Sequence, residues 1–179
     1  VVAAGLTSAS PSQAAYIGGI VGYAQQDSYK VEIKNCAYMG TAEKFGAFTN
    51  VVFGGIVGSS AGAITIRNSL FSGSFTHTIA EGLAYDVTIG GIIGFVEKGS
   101  TEVVVVDNCV AIENFTVQDG CKHGHVIGNS NYTKGTNFWY GPQASDNNNN
   151  GYKFDESLTT ADELTLDGYT GNNVVDALN

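Results

Sequence analysis

Gly18-Gly19-Ile20-Val21-Gly22 is the stretch that decides the fold, because it returns as Gly54-Gly55-Ile56-Val57-Gly58 and again as Gly90-Gly91-Ile92-Ile93-Gly94. Gly124-His125-Val126-Ile127-Gly128 is a degraded fourth copy, with His125 in place of the second glycine. Successive starts (18, 54, 90 and 124) lie 36, 36 and 34 residues apart. Self-similarity at a fixed period of this size marks a repeat architecture, whose units bury their apolar faces against one another.

A second motif follows each of the first three. Val31-Glu32-Ile33-Lys34-Asn35-Cys36, Ile64-Thr65-Ile66-Arg67-Asn68-Ser69 and Val104-Val105-Val106-Asp107-Asn108-Cys109 each place two β-branched residues two apart, with Asn two further on. That alternation is a strand signature. It predicts Val31/Ile33, Ile64/Ile66 and Val104/Val106 inside, with Glu32/Thr65/Val105 and Lys34/Arg67/Asp107 outside. A variable third part contains strand-like pieces such as residues 48–53 and 85–89. Stacking each strand on its equivalent in the next repeat, about 4.8 Å away, encloses continuous apolar columns. The predicted fold is an all-β, right-handed parallel β-helix (β-solenoid) of about four coils over residues 1–141. Residues 142–179 form a polar, acidic C-terminal tail, read as a cap or linker.

The same stacking explains the residue types. Glycines admit positive φ at a corner or close approach of a neighbouring backbone. Asn tolerates the left-handed conformation and can stack its amide on the Asn one coil away. Cys36 and Cys109, two coils apart, are roughly 9–10 Å from each other by strand spacing, beyond disulfide reach. Trp139, with Phe138 and Tyr140, stands where the open end of the column needs a seal.

Composition agrees. The 179 residues are 43% hydrophobic and 14% charged, with 24 Gly and 2 Pro, and Val, Ile, Thr, Tyr and Phe are abundant, which favours strands joined by tight turns. The net charge is −9, with −3 on residues 1–110 and −6 on residues 111–179. That balance argues against nucleic acid and against an anionic membrane surface. No apolar run has the ~18 residues of a membrane span, so no membrane insertion is expected. Three cysteines do not make a disulfide framework. The opening at Val1, in mid-pattern, reads as a processed chain or a piece of a longer one.

At these residues the chain resembles the GLUG-motif family of tandem repeats on bacterial surface proteins. The resemblance rests on G-G-I-V-G, then (I/V)-x-(I/V)-x-N-(C/S), then Gly40 and Gly73 in the first two repeats, and on the closing N-F-W-Y-G of residues 137–141. It covers about residues 16–141. Ile stands where the motif name has Leu, and His125 has lost the glycine. The resemblance implies a secreted or cell-surface localisation and a role in cell adhesion or as a stalk within a longer surface protein, sometimes beside peptidase domains. It carries no catalytic residues.

Asp146-x-Asn148-x-Asn150-Gly151 has the first half of a calcium loop, with Glu156 one residue short of the closing position. Only Asp146 among the first three ligands is charged, so a plain Asn-rich turn is the favoured reading; calcium is the one cofactor considered. His123-Gly124-His125 beside Cys121 offers metal-ligand types, but a metal needs three or four converging groups, and surface histidines beside a turn are the favoured reading. His77 is isolated. Tyr23/Phe95 and Tyr38/Phe71 occupy matched positions in different repeats and would align as an aromatic stripe suited to a host glycan or protein partner. Nothing in the spacing nominates a nucleophile with an oriented base. The expected function is a non-catalytic extracellular module, adhesin-like or a scaffold. The alternative is a polysaccharide-degrading β-helix enzyme or an accessory domain of a secreted peptidase, which rests on fold analogy.

Overall fold

A computed structural model of the chain describes residues 14–25, 30–45, 50–78, 86–97, 104–116, 121–129, 137–140 and 152–153. These residues contain strands and no helix, and equivalent segments of successive repeats pair in parallel. Sheet A takes β1 (Ala14–Gly18), β6 (Asn50–Gly54), β10 (Asp86–Gly90) and β14 (Lys122–Gly124), in that order. Sheet B takes β2 (Val21–Ala24), β7 (Val57–Ser60) and β11 (Ile93–Val96), and sheet C takes β3 (Val31–Lys34), β8 (Ile64–Arg67) and β12 (Val104–Asp107). Sheet D holds β4 (Ala37–Tyr38), β5 (Thr41–Phe45), β9 (Leu70–Thr78), β13 (Cys109–Thr116), β15 (Asn137–Tyr140) and β16 (Tyr152–Lys153). Each of the first three repeats therefore contributes to four sheets where the pattern suggested two or three strands. The arrangement is consistent with the parallel β-helix class. Strand pairing continues into the segment read as tail, since Phe138 pairs with Tyr152 and Trp139 with Lys153.

The glycine motifs lie directly over one another. Ile20 N–H donates to Ile56 O at 3.0 Å, Ile56 N–H to Ile92 O at 3.0 Å, and Ile92 N–H to Val126 O at 3.0 Å. Ile56, Ile92 and Val126 are fully buried, whereas Ile20, on the first described rung, is 44% exposed. The glycines are there for close approach: a Cβ on Gly55 would collide with the Gly91 carbonyl oxygen of the next rung and with the Phe71 ring. Positive φ belongs instead to the asparagines, at 54° in Asn35, 50° in Asn68 and 51° in Asn108. Asn68 Nδ2 donates to Asn35 Oδ1 at 3.2 Å, one step of the expected amide ladder.

The residue after each Asn closes the same corner. Cys36 Sγ, Ser69 Oγ and Cys109 Sγ each donate to the carbonyl oxygen two residues back, at 3.2, 2.9 and 3.3 Å. None of the three cysteines is in a disulfide, and burial pushes the Cys109 thiol up to about 12.

Between sheets A and D lies an aromatic core. Phe53 stacks on Phe75 at 4.3 Å between centroids and meets Phe71 and Phe115 edge-on at 5.9 and 5.7 Å. Fully burying each such ring contributes roughly 1.5–3 kcal/mol. Of the predicted inward set of the Asn strands, Ile33, Ile64, Ile66, Val104 and Val106 are buried, and Val31 is half-buried against the core. Arg67 and Asp107, neighbours in register, form an outward pair at 3.7 Å. Thr65 departs from expectation: on the middle strand of sheet C, between Glu32 and Val105, it is 2% exposed.

Two side-chain amides meet backbone groups beyond the last described strands of sheets B and C. Asn129 Oδ1 accepts from Val96 N–H at 2.7 Å and its Nδ2 donates to Val96 O at 2.8 Å. Asn137, fully buried, accepts from Cys109 N–H at 3.1 Å and donates to Val106 O at 2.9 Å. Each amide stands in for one peptide unit of a further rung.

Two stability outcomes follow by hypothesis from these corners. Asn68→Ala, forced to keep φ near 50°, is expected to lower unfolding free energy by about 1–2 kcal/mol, and Asn68→Gly by less; equal losses in urea titrations would refute the conformational account. Gly55→Ala is expected to be far more damaging than either, because both colliding groups belong to the packed interior, and a midpoint within error of the parent chain would refute it.

Candidate functional site

Four departures from the repeat pattern meet at one place. In the first two repeats Tyr38 and Phe71 are followed two residues later by Gly40 and Gly73; in the third the same places hold Ala111 and Glu113. On sheet A the inward column runs Ile17, Phe53, Ile89 and then His123. The second glycine of the motif, Gly19, Gly55 and Gly91, becomes His125.

Packing ties these changes together. A Cβ on Gly19 would strike the Tyr38 ring and one on Gly55 the Phe71 ring, so the glycine corner makes room for an aromatic side chain from sheet D. A Cβ on Gly91 would strike Ala111 Cβ and Glu113 Oε1. The carboxylate thus occupies in the third repeat the space that a ring occupies in the first two. His125 is tolerated where glycine stood because β14 is the edge strand of sheet A, so among the described strands of that sheet no further carbonyl lies over it.

Glu113 Oε2 lies 2.9 Å from His123 Nε2 and 3.1 Å from His125 Nδ1. Side-chain exposure is 7% for His123 and 0% for both His125 and Glu113. Phe115 meets His123 edge-on at 5.1 Å between centroids, and the two imidazoles are 5.2 Å apart. Burial drives Glu113 well above the ordinary carboxyl range and holds His123 down at about 4. Desolvation favours the uncharged form of each, so the contact between Glu113 and His123 is a hydrogen bond between groups held toward neutrality. Glu113 Oε1, buried, has no hydrogen-bond partner. One ligand-type atom from each of the three residues lies within 4.8 Å of the others. The cluster can share protons or hold a metal ion.

Compared with known protein families, characterised proteins and solved structures, the chain shows no match.

The residues singled out from sequence fall differently. His123 and His125 are not surface histidines: alternation on β14 turns His123 inward, and His125 fills the corner. His77 is also buried, 6.2 Å from the Phe75 ring. Phe71 is fully buried, because it faces inward into the space left by Gly55, and therefore cannot belong to a surface stripe. Tyr38 stacks on it at 6.2 Å and is half-buried. Tyr23 and Phe95 both register with Ser59, one rung to either side. Tyr23 packs on Tyr16 at 4.9 Å, and its hydroxyl donates to Glu97 Oε1 at 2.9 Å. Asp146, Asn148, Asn150 and Glu156 lie outside the described residues, as do the side chains of Phe138, Trp139 and Tyr140.

Glu113 escaped the sequence reading, although a signal existed. Aligning the repeats on Asn35, Asn68 and Asn108 shows Ala-x-Glu where the others have aromatic-x-Gly. A shallow outer groove of about 550 Å³ crosses the same strands, walled by Met39, Thr41, Ser72, Ser74, Ile112 and Asn114.

If the cluster departs from the repeat for a reason other than stability, rebuilding the pattern of the earlier repeats is harmless. The combined substitutions Ala111→Phe, Glu113→Gly, His123→Ile and His125→Gly are expected to leave the chain as stable in urea as before, or about 1–4 kcal/mol more stable, as when buried polar sets give way to apolar packing. Marked destabilisation of the fourfold variant would mean instead that the cluster is itself a mainstay of the fold.

Proposed function

We propose that this chain is a non-catalytic extracellular surface module, adhesin-like or stalk-forming, built as a right-handed parallel β-helix of about four coils with a C-terminal cap. The observation that carries the reading is the in-register stack itself. Its equivalent residues hydrogen-bond from repeat to repeat through Ile20, Ile56, Ile92 and Val126. Such an architecture presents long, regular outer faces and lengthens by adding repeats, which suits a spacer or a binding surface. The GLUG-like pattern supports the same class and a place within a longer bacterial surface protein.

The outer face of sheet D is the binding surface this reading favours. Thr41, Ser74 and Asn114 fall in one register column, and Ser74 Oγ donates to Thr41 Oγ1 at 3.0 Å. Small hydroxyl and amide groups beside Met39, which is 74% exposed, suit a sugar or an extended peptide. The Glu113 carboxylate is turned inward, away from this groove, which supports binding over acid–base chemistry there.

The test is a glycan and matrix-protein array probed with the isolated chain and with Asn114→Trp, which obstructs the groove from an exposed position. Retention of a ligand by the parent chain and its loss in the variant, with unchanged thermal unfolding, is the expected result. Equal retention by both would remove the groove from the proposal, and no retention by either would remove binding and leave a spacer.

A further inference from the structure

We propose that Glu113, His123 and His125 form a structural site for one divalent transition-metal ion of the zinc class, which pins β14 to β13. This inference does not depend on the adhesive reading.

The donor set is the first argument. Two imidazole nitrogens with one carboxylate oxygen suit zinc, nickel, copper or iron, whereas calcium and magnesium are held by oxygen. Geometry is the second. Ligands about 2.0–2.1 Å from a four-coordinate ion are about 3.3 Å from one another. Glu113 Oε2 already stands 2.9 and 3.1 Å from the two ring nitrogens. Two edges of a coordination triangle are thus near the length required, and the third, between the two ring nitrogens, is within 4.8 Å.

One carboxylate oxygen is left unsatisfied. Glu113 Oε1 is buried without a hydrogen-bond partner, and it sits beside Gly91, where a Cβ would exclude it. An unpaired buried acceptor ordinarily costs about 1–3 kcal/mol. As the second oxygen of a bidentate carboxylate it completes the shell, so the site closes without solvent. Closure, with side-chain exposures of 7%, 0% and 0%, makes the ion structural and not catalytic. Cys121 is buried two residues before His123 but is not among the atoms that converge within 4.8 Å.

Charge agrees. A buried carboxylate needs a compensating positive charge to be held as an anion, and the nearby Lys122 does not supply it, being exposed and paired with Asp86 at 3.0 Å. A dication satisfies the carboxylate and both imidazoles together, displacing the protons they share. The ion also ties sheet A to sheet D at the fourth copy of the glycine motif, where the repeat pattern fails.

The test titrates the chelator-treated chain with zinc chloride and cobalt chloride. One equivalent of zinc is expected to bind and raise the unfolding temperature, and cobalt is expected to give the visible absorption of a four-coordinate ion. Glu113→Gln and His123→Ile are each expected to weaken binding by at least the ~100-fold that even outer-sphere changes can cause. X-ray absorption on the zinc-loaded parent chain should show two imidazoles and oxygen, a readout that does not depend on either variant folding. Absence of saturable binding, unchanged affinity in both variants, or sulfur in the coordination shell would each overturn the assignment.

Discussion

Backbone hydrogen bonding between equivalent segments of successive repeats is the constraint on which the rest of the structure depends. In register, each position becomes a column, and the residue chosen in one repeat must fit its counterparts above and below. Ile56 and Ile92 are buried on such a column, and Ile20 at its start is not. The glycine corners follow from the same rule: the next rung's carbonyl and an aromatic ring from sheet D both occupy the place a Cβ would take.

Column logic also explains how departures are accommodated. A ring cannot be lost from one repeat without something filling its space, and in the third repeat Glu113 fills the volume left when Ala111 replaces the aromatic residue. A buried carboxylate then requires polar company, which His123 and His125 supply from sheet A at 2.9 and 3.1 Å. Four changes scattered over positions 111 to 125 are therefore one structural event. Their clustering beside the edge strand of sheet A is where the stacking rule is weakest, since fewer neighbours constrain each choice.

Among the described residues, the ladder ends of sheets B and C are met by side-chain amides. Asn129 and Asn137 use one side-chain amide each to meet a donor and an acceptor that another rung would have met. In sheet D the pairing itself runs further, through β15 to β16. Among the described strands the sheets thus end at different rungs, and Asn is the residue whose side chain copies a peptide group.

Much of this was legible in the chain itself, because a 36-residue period and period-two alternation report directly on stacking and on which face turns inward. The inward set of the Asn strands, the left-handed asparagines and the distant, unbridged cysteines all follow from local pattern and fixed strand spacing. What the pattern could not supply was contact between different sheets. Phe71 and Tyr38 are matched by sequence, but only the packing of sheet A against sheet D shows that the first is core. The pair His123 and His125 looked like a turn on the surface because a motif carries no information about what lies opposite it. Glu113 stands ten residues before His123 in sequence and on another sheet, and the tertiary fold alone, by setting those faces against each other, makes the three side chains neighbours.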